Sequence, residues 1–493
     1  MKSVKNLLVP AIVLLAMIVF AVIYFSVENF KNKRQTPSGS ETDIVVLNLS
    51  VSDISSVSVF NKEQNYHSVV NCSTDNSGNI TYEYKGDDYN PTEKYSQNKL
   101  SVYVSKLIFF MSSNKISDNA VYSEYGLDDP RYTVTIATKD GNSTSVLLGN
   151  NSPDGKLIYM SLNGSTEVYG ISVSILSTVE SSYINFLDDI YLDINFNDVK
   201  SVHFDRKSDG LTLDAHVKNN ESGIAEFEIY APFNHGTSGY FGNLMDSVAG
   251  LRVSEFVSID MRDLPKYGLD NPVYFFSFTK NDNSKIELYF SKVVNDCCYG
   301  YIKGTNRIFV VQESVLDGVN LKDTVLIDPY ICYCYAKNIS SITGTNGDIT
   351  FRLELNVTEG DSIVSDNSTV TLDGRNAKIS DSAGRSYCSI LFESIACIKI
   401  GGIEVENITK PSSAAELTLT FIDKNYVTTV YEFYPKSTDT YYVFRNGEYM
   451  NFYVYTSEIF NDGGSDTYSY GYWKAYELLN QAISDNVNGI YDL

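Results

Sequence analysis

The stretch YGLDDP at residues 125–130 returns as YGLDNP at residues 267–272, with five of six positions identical and a spacing of 142 residues. A fixed spacing of that size marks a duplicated module. Its local chemistry is that of a junction. Gly126 and Gly268 suit a positive φ that stops a helix, Asp128 and Asp270 suit a bond to their own backbone, and Pro130 and Pro272 open an extended segment. Together with Tyr125, Leu127, Tyr267 and Leu269 they are read as structural repeat-junction residues. Nothing in the motif is catalytic.

The same order of elements surrounds each copy. In a first module, 46–190, alternation marks a strand at 54–60 (ISSVSVF) with a hairpin partner at 80–84 (ITYEY). Val104, Leu107, Ile108 and Met111 then fall on one helical face. After the junction come strands at 133–136, 145–148, 157–162 and 166–171, the last two joined through Asn163-Gly164, a strong hairpin signal. A second module, 191–330, opens with VKSVHF at 199–204 and places Phe241, Leu244, Met245 and Val248 on its helix. Its later strands are expected at 273–278, 286–290, 299–303 and 307–311.

A third module, 331–493, follows from pattern alone. It has ISSI at 339–342, a helical face of Leu391, Ile395 and Ile398, and strands at 417–421 and near 441–447. ENITKP at 406–411 is its junction counterpart, with Asn407 where glycine stood, since asparagine also visits left-handed space. An amphipathic helix at 472–483 caps the array. The fold class is therefore α+β, a β-rich array of about three related modules, each mainly antiparallel sheet with one or two helices.

Residues 7–25 (LLVPAIVLLAMIVFAVIYF) carry no charge over 19 positions, enough to cross a hydrocarbon layer of about 30 Å. The following FAVIYFSVENF lacks the small residues that a signal peptidase needs. This predicts an uncleaved signal anchor: a head at 1–6, a transmembrane helix at 7–26 and a polar linker at 27–45. The protein is then a single-pass protein of the cell membrane, with the bulk of the chain extracytoplasmic.

The chain of 493 residues has a formal charge of −23, although five basic groups and one acidic group fall in its first 34 residues. So acidic a surface repels nucleic acid, and no nucleic-acid partner is expected. Seven cysteines are too few for a disulfide-built scaffold of this size. Cys297, Cys298, Cys332 and Cys334 form a local sequence cluster whose spacing is not that of a zinc site, and are read as buried or disulfide-paired. The four histidines, His67, His203, His216 and His235, form no metal-binding motif and are read as surface or turn residues. No catalytic, cofactor or metal site is assigned. Tyr159, Tyr299 and Tyr442, each on the strand before a hairpin, are candidate surface aromatics for a peptide or glycan; the competing reading is half-buried packing with a wet hydroxyl.

The order helix, YGLDxP, strand, strand, then a tyrosine-bearing strand and hairpin resembles the bacterial domain-of-unknown-function family DUF4340, clearly over about residues 50–330 and weakly over 338–465. The resemblance implies an exported, membrane-anchored protein encoded beside ABC transporters of the gliding-motility type, and it supplies no catalytic residues. The expected function is a non-enzymatic extracytoplasmic scaffold or binding subunit, accessory to such a transporter. The alternative is a cell-envelope glycan- or peptide-binding surface protein.

Overall fold

The computed structural model describes residues 44–219, 225–406, 408–463 and 470–487. The apolar segment at 7–25 and Asn407 lie outside them. Among the described residues no helix is long and apolar enough to cross a membrane. The chain divides into two compact units, one ending at Asp188 and one beginning at Asp189.

The first unit is built on an eight-stranded antiparallel sheet. Its strands are β1 (Ile54–Asn61), β2 (Tyr66–Thr74), β3 (Ile80–Tyr84), β4 (Asn114–Ser117), β5 (Tyr132–Thr138), β6 (Ser143–Asn151), β7 (Leu157–Leu162) and β8 (Val168–Ser172). They lie in the order β3-β2-β1-β5-β6-β7-β8-β4. Helix α1 (Gln97–Leu107), capped by the Ser96 side chain, follows β3. Because successive strand residues face opposite ways, Val57, Val59, Val134, Ile136, Val146 and Leu148 all point to one side, where they bury against Leu100, Tyr103, Val104 and Leu107 of α1.

The second unit repeats this plan twice. Its strands β9 (Val199–Arg206), β10 (Leu211–Asn219), β11 (Ala225–Ala231), β12 (Phe256–Ser258), β13 (Tyr274–Lys280), β14 (Lys285–Phe290), β15 (Cys297–Ile302) and β16 (Ile308–Gln312) take the order β11-β10-β9-β13-β14-β15-β16-β12. Then β17 (Ile339–Asn346), β18 (Ile349–Asn356), β19 (Thr369–Leu372), β20 (Gly402–Ile403), β21 (Leu417–Asp423), β22 (Thr428–Pro435), β23 (Thr440–Arg445) and β24 (Glu448–Tyr455) take the order β19-β18-β17-β21-β22-β23-β24-β20. Each of these two sheets gains one short edge strand, His235–Gly236 or Arg375–Asn376. Helices α2 (Gly239–Ala249) and α3 (Tyr387–Ala396) occupy the place of α1. The last helix, α4 (Tyr472–Val487), lays Tyr476 on Phe351 at 4.5 Å.

Three expectations need correction. The strand at 80–84 is not the hairpin partner of β1, because β2 lies between them. The first helix ends at Leu107, one turn earlier than the periodicity suggests. Met111 belongs instead to a strand, Phe109–Ser112, paired with Ile44–Asn48; an apolar run alternating there satisfies both periods. His235 is buried rather than superficial: it donates through Nε2 to Asp328 O (2.8 Å) and meets the Phe452 ring at 4.8 Å, joining the second sheet's module to the third's.

Candidate functional site

Both YGLD junctions sit where a short 3-10 turn ends. Tyr122–Glu124 is capped by Tyr125 with Gly126 next, and Met261–Tyr267 is capped by Gly268 itself; both glycines have a φ of 68°. That left-handed backbone is what the glycine provides. Leu127 and Leu269 are both buried. Leu127 packs with Leu147 and Val168 on the side of the first sheet away from α1. The polar contact of each junction falls one residue beyond Asp128 and Asp270, which are exposed: Lys62 pairs with Asp129, and Lys207 donates to Asn271 at 2.9 Å. Pro130 and Pro272 lead into β5 and β13 as expected.

Tyr159, Tyr299 and Tyr442 occupy one equivalent position in the three sheets, and all are half-buried. Tyr159 meets the junction's Tyr125 edge-on at 5.0 Å, and Tyr299 meets Tyr267 at 4.8 Å. Tyr442 meets Tyr449 at 5.8 Å, with the Lys436 ammonium 5.0 Å above its ring. The repeated tyrosine thus mainly pins the junction to its sheet.

A different set of residues singles out the second sheet. Strand register aligns a row across each sheet on the face away from the helix. In the first sheet the row is Phe60, Thr133, Leu147 and Ser161. In the third it is Thr345, Thr418, Glu432 and Phe444. In the second it is Asp205, Phe275, Tyr289 and Tyr301. The residues one step along the strand and on the other face, Val134, Phe276 and Leu419, are fully buried in all three. The core face repeats and the open face diverges.

The second sheet's open row is a continuous aromatic stack. Phe275 and Tyr289 lie 4.7 Å apart, Tyr289 and Tyr301 lie 4.7 Å apart with planes within 7°, and His203 meets Phe275 at 5.3 Å. Each directly opposed pair contributes about 0.5–1 kcal/mol. All four side chains remain half-exposed. Lys303 bridges to Glu287 beside the row, and farther across the sheet His216 stacks on Tyr230 at 4.2 Å. The row is a rigid apolar strip rimmed by charge on an acidic protein.

His203 ends the strip between two carboxylates, with Nε2 3.0 Å from Asp205 and Nδ1 2.8 Å from Asp214. Only the imidazolium has two donors to offer. Burial opposes that charge, but the bonds to Asp205 and Asp214 outweigh it and raise the histidine above its ordinary value. A raised folded value makes the charged ring stabilising at low pH and lets that contribution fade as pH rises through the folded value. His203→Gln is therefore expected to cost most below pH 6.5 and progressively less above it, measured as unfolding free energy against pH for both proteins. A cost independent of pH would show that His203 is uncharged in the fold.

Phe275, Tyr289 and Tyr301 escape the sequence reading, and His203, read there as a surface or turn residue, is instead a half-buried strand residue held between two carboxylates. The available signal was the alternation itself: VYFFSF and IELYF place large aromatics on both faces of a strand, where a solvated face needs none.

A groove of about 620 Å³ lies in the first unit beside α1, lined by Val102, Lys106, Phe109, Met111, Ile171 and Ile175. Among the described residues no cluster of histidine, cysteine or carboxylate has a metal-holding arrangement.

No curated protein and no solved structure matches the chain. The family described as "Domain of unknown function (DUF4340)" matches it twice, over residues 90–272 and 241–383. The first match begins just before α1 and ends on Pro272, and the second begins inside α2, so both are registered on a helix and overlap at the second junction. On these two matches, which together span more than half of its length, the chain belongs to the DUF4340 family.

Proposed function

We propose that this protein is a non-enzymatic binding subunit of a membrane complex, held by residues 7–25 with its sheets on the extracytoplasmic side, and that the open face of the second sheet is its contact surface. The observation that carries this reading is the aromatic row. Three sheets share one core pattern, yet Phe275, Tyr289 and Tyr301 replace the threonines, serine, leucine and glutamate of most equivalent positions. Half-exposed, mutually rigid aromatics with a polar rim suit a protein partner, because they offer contact area at little cost in conformational entropy. The partner favoured by the chain's family resemblance is an ABC transporter of the gliding-motility type.

A second reading, a glycan- or peptide-binding surface protein of the cell envelope, draws on the same row. Crosslinking the full-length protein in its native membrane, followed by pull-down and mass spectrometry, separates the two. Recovery of permease and ATPase subunits supports the transport complex. Recovery of wall material alone supports the surface binder and overturns the first reading.

A further inference from the structure

The groove beside α1 has a counterpart in the third module. Matching the buried faces of the three helices sets Leu107, Val248 and Ile395 at one position. The segments that follow then run in phase: Phe110, Leu251 and Ile398 are buried, while Met111, Arg252 and Lys399 face outward. Strand pairing agrees, because Met111 stands opposite Val45, Arg252 opposite Tyr191 and Lys399 opposite Tyr330. On this match the groove and a cavity of about 560 Å³ in the third module are one repeated site. Val102, Ser105, Lys106, Phe109 and Met111 of the first answer to Ile390, Glu393, Ser394, Cys397 and Lys399 of the other.

The chemistry of the two has diverged. Glu393 and Glu458 line the third-module cavity. No described carboxylate lines the first-unit groove, or the smaller one of about 230 Å³ that adjoins it through Val102, Lys106, Ser177 and Thr178. Lys99 and Lys106 stand there instead, a locally basic face on a chain of formal charge −23. The face is also apolar at its surface: Val45 is 55% exposed, Val102 47%, Phe109 42% and Met111 41%. The second module has Asn243, Gly250 and Arg252 where the first has Val102, Phe109 and Met111. Apolar side chains gathered in one exposed patch mark a surface that meets a partner.

Where the chain enters the unit points to the partner. The strand Ile44–Asn48 carries Val45 against Met111, and only 18 residues (26–43) separate it from the apolar segment that ends at Phe25. At full extension they reach at most about 60 Å. A tether so short makes docking intramolecular, and a small patch then suffices. An acidic body tied to an anionic surface turns its least negative side toward it.

We propose that this face of the first unit seats on the bilayer that holds residues 7–25. Val45, Val102, Phe109 and Met111 enter the boundary between headgroups and acyl chains, while Lys106 and the groove's serine hydroxyls receive headgroup phosphates, as on an interfacial helix. The inference rests on the membrane anchoring of the proposed function.

The test reconstitutes the full-length protein in vesicles of phosphatidylcholine and phosphatidylglycerol, with Met111→Trp as a fluorescent reporter. The native Trp473 is buried and supplies a constant background. Acyl-brominated lipid in the bilayer is expected to quench the reporter, and iodide in the water to spare it. Adding Val102→Glu and Phe109→Glu, both at exposed positions, is expected to reverse the two results, and Lys106→Glu to weaken the bromolipid effect. A reporter quenched by iodide and not by bromolipid overturns the docking. One spared by both is covered by protein, as in a pair of copies, and overturns it as well. Protein that fails to float with the vesicles overturns the anchoring and the docking together, whereas floating protein with a reporter that bromolipid spares overturns the docking alone.

Discussion

Replacing Arg206 with methionine is expected to destabilise the second unit by about 3 kcal/mol. Arg206 ends β9 with its guanidinium almost wholly buried. Its Nη1 donates to Val319 O and Leu321 O, each at 2.6 Å, while Nε and Nη2 hold Asp209 at 2.9 and 2.7 Å. Methionine keeps much of the stem's packing but leaves two carbonyls without their donor. Asp209 is half-exposed and re-solvates, so the carbonyls carry most of the cost. Asp209→Asn, which spares them, is expected to cost only about 1 kcal/mol. Denaturant unfolding of the two variants checks the ranking, and equal losses would show that the ion pair dominates.

The same site has an acid signature. The Arg206 guanidinium, opposed by some burial, holds the Asp209 carboxyl below its ordinary value of 3.8. A depressed folded value contributes stability that is present above 3.8 and is lost as pH falls through the folded value. In Arg206→Met that portion of the acid sensitivity is expected to disappear.

Gly149→Ala is expected to cost the first unit about 3 kcal/mol. An added Cβ would stand 2.2 Å from Tyr125 O and 2.9 Å from Gly126 O, so backbone rather than a side-chain tip must give way. That approach is held by Asn150 N donating to Tyr125 O at 2.8 Å. The equivalent residue of the second module is Ser291, whose Cβ lies 3.9 Å from one built on Gly268. The second junction therefore already has room, and Ser291→Ala is expected to cost under about 1 kcal/mol. Gly268→Ala falls between, at about 1–2 kcal/mol, because it suffers the left-handed backbone without the collision. Thermal unfolding of the three variants tests the order, and a mild Gly149→Ala would mean the first junction is not pinned to β6.

The architecture was legible where a residue's role is local. YGLD marks the junctions because a left-handed glycine after a short turn leaves a compact signature, and Phe241, Leu244, Met245 and Val248 mark α2 because one helical face is buried. What escaped was set by register and neighbours. Strands β2, β10 and β11 carry polar residues on their open face and so read weakly, though each continues a meander. Met111 fits a helix or a strand equally well by spacing, and pairing with the chain's earlier Val45 decides it. The aromatic row is the clearest instance: Phe275, Tyr289 and Tyr301 lie on three strands, and only the ladder brings them into one stack.

The most direct test of that row is Tyr289→Thr combined with Tyr301→Thr, because threonine keeps strand preference while removing the rings. The full-length variant and the wild type are crosslinked and pulled down from the native membrane in parallel. The variant is expected to lose the proteins that the wild type recovers while keeping its unfolding midpoint within a few degrees. Unchanged recovery from the variant would contradict the open face of the second sheet as the binding surface.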